Sequence, residues 1–143
     1  MAETTKILLV EDSKFLRQAT ERALVRAGYE VSCAADGEEA LRVAKETMPD
    51  LILLDMLLPK MTGLDVLKAL KKDPATAKIA VVVVSGLSQI NAGRLQEDGA
   101  CAFLEKSELS LDHGPEPLLA ALRKIIRNLS RSSAQAAGGD SAR

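Results

Sequence analysis

Short apolar runs alternate with stretches of helical periodicity along the whole chain. The first run, residues 6–10, stops abruptly at Glu11 and Asp12. An unbroken apolar run of this length suits a strand buried on both faces. Phe15, Leu16, Ala19, Ala23, Leu24 and Ala27 then recur at helical spacing, and Gly28 supplies a stop. Residues 30–34 read as a second strand and Asp36-Gly37 as a turn. Ala40, Leu41, Ala44 and Met48 make a second helical face, closed by Pro49. A third strand, 51–54, runs into Asp55. Beyond Pro59 and Gly63, Leu64, Leu67 and Leu70 share a third helical face. The fourth strand, 79–84, is the richest in β-branched residues. A weaker helix is predicted over 87–98, where Gly93 costs ~1 kcal/mol relative to Ala. Residues 102–104 form a fifth strand leading to Lys106. Leu118, Leu119, Leu122, Ile125, Ile126 and Leu129 then line a strongly amphipathic last helix.

Five βα units in this order predict an α/β fold of the doubly wound type, with a parallel sheet covered on both faces. Right-handed crossovers leave two leading topologies, flavodoxin-like and Rossmann-like. In either, ligands bind outside the carboxyl ends of the strands. Residues 1–5 read as an N-terminal extension and 6–129 as the domain. The Ser-, Ala- and Gly-rich residues 130–143 read as a disordered tail or linker remnant.

Composition narrows the function. A chain of 143 residues is one domain's worth. Nineteen basic against 20 acidic residues give a formal charge of −1, without the basic excess of a nucleic-acid surface. Aromatic residues are 2% and Trp is absent, so platforms for stacking a base or a flavin are scarce. No apolar run approaches the ~18–20 residues of a membrane span. No secretory pattern opens the chain, and a cytoplasmic location is expected. Cys33 and Cys101 form no C-x-x-C pair and read as small buried hydrophobes. His113, the sole histidine, reads as a solvated loop residue, and Lys68, Lys71 and Lys72 as a solvated helix face.

The polar residues fall where such a fold places its site. Strand one ends in Glu11-Asp12, strand three in Asp55, strand four in Ser85 and strand five in Lys106. Three carboxylates, a hydroxyl and an ammonium thus converge on one end of the sheet. Clustered carboxylates repel one another unless a cation neutralises them. Mg²⁺, a hard ion that keeps several waters and leaves room for a phosphoryl group, answers that need. Ser85 and Lys106 suit phosphate oxygens. A carboxylate beside such an ion can act as a nucleophile towards phosphorus.

Four segments carry a family resemblance. They are Ile7-Leu8-Leu9-Val10-Glu11-Asp12-Ser13, then Leu54-Asp55-Met56-Leu57-Leu58-Pro59-Lys60-Met61-Thr62-Gly63, then Val83-Val84-Ser85-Gly86, and finally Phe103-Leu104-Glu105-Lys106. In this order and spacing the chain resembles the response regulator receiver domain of two-component signal transduction, of the chemotaxis-regulator kind. The resemblance implies a flavodoxin-like (βα)5 fold with strand order 2-1-3-4-5. It implies that Asp55 is the phosphoacceptor, Asp12 a direct Mg²⁺ ligand, Glu11 a ligand through water and Met56 a backbone-carbonyl ligand. It further implies that the Gly86 amide and Lys106 hold the phosphoryl oxygens. Ser85 would be the switch hydroxyl and Phe103 the switch aromatic. Three departures stand out: Glu11 where Asp is commoner, Phe103 where Tyr is usual, and Ser107 where Pro commonly follows the lysine.

The implied function is a phosphorylation-dependent receiver that takes a phosphoryl group from a sensor histidine kinase or phosphotransfer protein. The surface of its fourth and fifth βα units would then switch towards an unknown downstream protein. The implied state is a monomer or a weak phosphorylation-dependent dimer, with no direct role for nucleic acid or membrane. Catalysis would be limited to its own phosphorylation and dephosphorylation. A phosphatase with an aspartate nucleophile usually carries a second Asp two residues on, where this chain has Leu57. Dinucleotide binding calls for a glycine-rich first turn, and residues 10–14 contain no glycine.

Overall fold

The structure, a computed structural model, describes residues 4–56, 58–85, 99–105 and 114–141. Its strands are β1 (Lys6–Val10), β2 (Glu30–Ala34), β3 (Leu51–Asp55), β4 (Ala80–Ser85) and β5 (Ala102–Glu105). Between them run helices α1 (Lys14–Arg26), α2 (Gly37–Thr47) and α3 (Gly63–Lys72). A last helix, α4, covers Glu116–Ser141. Every strand pairing is parallel and the order is β2-β1-β3-β4-β5. This is the flavodoxin-like arrangement, and it places β3 in the middle. The strand and helix expectations agree with it to within a few residues at each end, except at the carboxyl end of the last helix. The helix predicted over 87–98 lies outside the described residues.

The alternation of side chains along each strand divides the core in two. Leu8, Val10, Ile52, Leu54, Val81 and Val83 face α2 and α3, where Ala40, Val43, Ala44, Val66, Leu67 and Leu70 complete one buried cluster. Ile7, Leu9, Leu51, Leu53 and Val82 face the other way, onto Leu24 of α1 and Leu118, Leu119 and Leu122 of α4. Burial on both faces explains why β1 and β3 read as unbroken apolar runs. Side-chain caps fix the helix starts: Ser13 accepts from the Leu16 amide and Asp36 from the Glu39 amide. Thr62 and Asp65 form a reciprocal capping box.

Four expectations need correction. Phe15 and Leu16 share the helical spacing of α1, and two adjacent residues cannot both point inward, but both are exposed, at 80% and 41%, and only Ala23 and Leu24 are buried. The sheet reaches α1 only through its later turns. Cys101 is exposed, and Cys33 is half-buried against the edge of the core, so neither is fully buried. Lys71 is not simply solvated: its ammonium donates to the carbonyls of Ala77 (2.9 Å) and Ile79 (2.7 Å), tying the end of α3 to the approach to β4. Finally, α4 continues to Ser141 in place of the irregular tail expected from residue 130. Extending a formed helix needs no new nucleus, and Ala134, Gln135, Ala136 and Ala137 are good helix formers.

Leu122 is fully buried where α4 meets the sheet. Leu122→Ala is expected to lower the unfolding free energy by about 2–5 kcal/mol. Urea titration checks this: the midpoint falls while the slope stays unchanged.

Candidate functional site

Parallel pairing brings the carboxyl ends of all five strands to one edge. Register then decides which residues meet there. Val10 lies level with Leu54, Leu54 with Val83, and Asp55 with Val84. Glu11 therefore falls in the row of Asp55, and Ser85 in the next row, beside Met56. Asp55 is only 3% exposed, Glu11 and Ser85 are buried, and Asp12 is exposed. The carboxylates of Glu11, Asp12 and Asp55 each bring an oxygen within 4.8 Å of the others.

The loop after β1 is held by several polar contacts. The Glu11 amide donates to the Ala34 carbonyl (3.0 Å), extending the β1–β2 pairing by one step. One Glu11 carboxylate oxygen accepts from the Ser13 amide at 3.1 Å. The Arg17 guanidinium reaches back from α1 to the carbonyls of Glu11 (2.9 Å) and Asp12 (3.4 Å). The loop after β3 is equally constrained. The Met56 amide donates to the Val84 carbonyl (3.1 Å), and its own carbonyl accepts from Gly63 (3.0 Å). A Cβ on Gly63 would lie 2.6 Å from both the Asp55 carbonyl oxygen and the Met56 Cα, so only glycine fits there. Lys60 adopts a left-handed φ of 70° and pairs with Asp36 at 3.7 Å. The Asp36 carboxyl is held below its usual range, first by the Glu39 amide and then by Lys60.

This donor set fits a hard divalent cation. At the ~2.1 Å bond lengths of Mg²⁺, octahedral ligands stand about 3 Å apart when adjacent and about 4.2 Å apart when opposite. Three carboxylate oxygens within 4.8 Å therefore need only small adjustment or a bridging water to share one ion. The Met56 carbonyl keeps a lone pair beyond the one given to Gly63. All four oxygen donors suit Mg²⁺ rather than a softer metal.

Of the residues singled out in the sequence, Glu11, Asp12, Asp55, Met56 and Ser85 come together. Phe103 stands apart on the edge strand β5, level with Val83 and 38% exposed. Gly86, Lys106, Leu57, Ser107 and His113 lie outside the described residues. Sequence reasoning gave Arg17 no role at the site, since its place five and six residues beyond the acids carries no apolar or motif signal. Gly63 reads from the sequence as a helix start and as the end of a family segment, with no hint of its packing against the Asp55 carbonyl. Cys33 offers no nucleophile here: burial first, and the neighbouring Glu21 carboxylate second, push its thiol up to about 11.

Comparison with known proteins agrees with the fold. The family model of the response regulator receiver domain matches residues 7–113. The gliding motility regulatory protein of Myxococcus xanthus is 42% identical over 113 residues, which cover 78% of this chain and 14% of that protein. The response regulator PleD of Caulobacter vibrioides is 41% identical over 105 residues, 72% of this chain and 23% of that protein. The chemotaxis response regulator CheY4 of Vibrio cholerae superposes with a TM-score of 0.73 at 32% identity, covering 86% of this chain and 99% of that one. The chain belongs to the response regulator receiver domain family of two-component signalling. It spans less than a quarter of the length of the two curated regulators named here.

Gly63→Ala weighs two opposed effects. Alanine gains at most about 1 kcal/mol of helix propensity. Overpacking against two backbone atoms costs typically 1–3 kcal/mol. Net destabilisation is expected, read as a lower urea midpoint than that of the parent chain.

Proposed function

We propose that Asp55 accepts a phosphoryl group from a histidine kinase or phosphotransfer protein, with Mg²⁺ held by Glu11, Asp12, Asp55 and the Met56 carbonyl. The observation that carries this reading is the buried Asp55 carboxylate at the end of the central strand, within 4.8 Å of two other carboxylates. A bound Mg²⁺ would offset their negative charge and attract phosphoryl oxygens. An Asp55 carboxylate oxygen attacks phosphorus. The bond from phosphorus to the donor's histidine nitrogen breaks as the new P–O bond forms, and its electron pair stays on that nitrogen. Gly86 and Lys106, which follow β4 and β5 in sequence, hold the phosphoryl oxygens. The activity is that of a signalling domain acting on its own side chain.

Output runs through Ser85 and Phe103. Val83 is level with Phe103 and Ser85 with Glu105, so Ser85 and Phe103 project to the same face of the sheet. A Ser85 hydroxyl drawn towards the phosphoryl group changes the space beside Phe103, which then repopulates its rotamers. Phosphorylation thereby shifts the population of the fourth and fifth βα surface that a downstream protein, or a second copy in a weak dimer, recognises. The upstream partner meets the opposite side. Phe15 and Leu16 are exposed in the first turns of α1, directly after Glu11 and Asp12, and give a donor protein an apolar footing beside the acceptor.

Two experiments separate these claims. With Mg²⁺ and a small acyl-phosphate donor, intact-mass measurement is expected to show one added phosphoryl group on the parent chain and none on Asp55→Ala. Undiminished labelling of that variant removes the assignment. Phe15→Asp is expected to slow transfer from the cognate phosphohistidine protein at least tenfold, on the order of one interface anchor. Labelling by the small donor should be unchanged, since the side chain is exposed. Equal loss in both assays contradicts a docking role.

A further inference from the structure

We infer that Arg17 is a positioning residue for the cation site, fixing the backbone on which the Glu11 and Asp12 carboxylates are mounted. The inference rests on the cation reading above. Two of the three acids sit on one short loop between β1 and α1, and that loop has an exposed end. Glu11 is held at its amide by Ala34 and at its carboxylate by the Ser13 amide. Asp12 has no such restraint: among the described residues its carboxylate makes no hydrogen bond or ion pair, and it is exposed. The direction of the Asp12 side chain is therefore set by its backbone alone. Arg17 is what grips that backbone from the helix. Its guanidinium donates to the Glu11 carbonyl at 2.9 Å and, more weakly, to the Asp12 carbonyl at 3.4 Å.

The chemistry of the side chain matters here. Both bonds leave one guanidinium nitrogen, Nη1, which the long, rigid planar group carries to two consecutive carbonyls. Lysine carries the same charge, but its stem is one bond shorter, which leaves its ammonium short of these carbonyls from the same backbone position. Arg17 also contributes positive charge close to a site meant for a cation, which by itself opposes metal binding. The two roles predict opposite results. If charge dominates, removing Arg17 tightens cation binding and lysine changes nothing. If positioning dominates, both alanine and lysine weaken it.

The test titrates the full chain with Mn²⁺, followed by water-proton relaxation, with Mg²⁺ as competitor. Residues that orient metal ligands typically contribute 10–100-fold to affinity. Because Arg17 acts on the backbone rather than on a ligand atom, about tenfold weaker binding is expected for both Arg17→Lys and Arg17→Ala, at the low end of that range. Thermal unfolding of the metal-free proteins should place both variants close to the parent, which separates positioning from a general loss of structure. Lysine-variant binding equal to the parent, or an alanine variant that binds more tightly, overturns the inference. So does failure of both variants to fold, which would make Arg17 a structural residue. A parent chain with no saturable Mn²⁺ binding sinks the cation reading and this inference with it. A parent that binds and variants that bind equally sink this inference alone.

Discussion

Three carboxylates within 4.8 Å of one another repel, and the parallel sheet gives two of them, Glu11 and Asp55, little freedom to move apart. Asp55 is fixed by a strand with neighbours on both sides, and Glu11 by pairing that continues past the end of β1. At that distance, in the effective dielectric of ~20 that suits protein sites, each like-charge pair opposes folding by a few kcal/mol before any cation or donor compensates. The arrangement therefore makes sense as a site for positive charge. The surrounding features follow from that constraint: oxygen-only donors, a glycine that lets α3 approach the Asp55 carbonyl, and a serine on the neighbouring strand.

The same geometry links the site to the rest of the domain. The strand that carries Asp55 is central, with β1 on one side of its end and β4 on the other. The β3–α3 loop cannot relax freely, because Gly63 and Met56 lock it to the strand end and Lys60 ties it to Asp36. A site this confined favours discrete rearrangement over gradual deformation. Ser85 and Phe103 lie on one face of adjacent strands, and under the proposed function they carry such a rearrangement to the edge of the sheet.

Much of this was legible in the sequence, for a physical reason. Strands buried on both faces must be apolar throughout, so β1, β3 and β4 announce themselves, and the first polar residue after each marks the carboxyl edge. Glu11, Asp12, Asp55 and Ser85 were found in that way, and a parallel sheet brings such ends together. What the sequence concealed depends on three-dimensional reach. Phe15 and Leu16 match a helical stripe, yet the buried residues of α1 are Ala23 and Leu24. Lys71 belongs to a basic run by composition, but its stem folds back to two carbonyls. Arg17 makes its bonds through main-chain oxygens, which every residue possesses, so no pattern of residue types reveals them. The helical continuation to Ser141 has no apolar stripe to signal it.

The account turns on whether the acidic cluster is a cation site, and thermal unfolding against Mg²⁺ concentration at constant ionic strength measures that directly. At ten times the dissociation constant, binding to the folded state alone adds about 1.4 kcal/mol. For a domain of this size that raises the unfolding midpoint by about 5 °C. Asp12→Asn removes one of the three charges without breaking any side-chain hydrogen bond among the described residues. It should melt higher than the parent in metal-free buffer, because repulsion is relieved, and should lose most of the Mg²⁺-dependent rise. A parent chain whose midpoint ignores Mg²⁺, or an Asp12→Asn variant that keeps the full rise, would contradict the account.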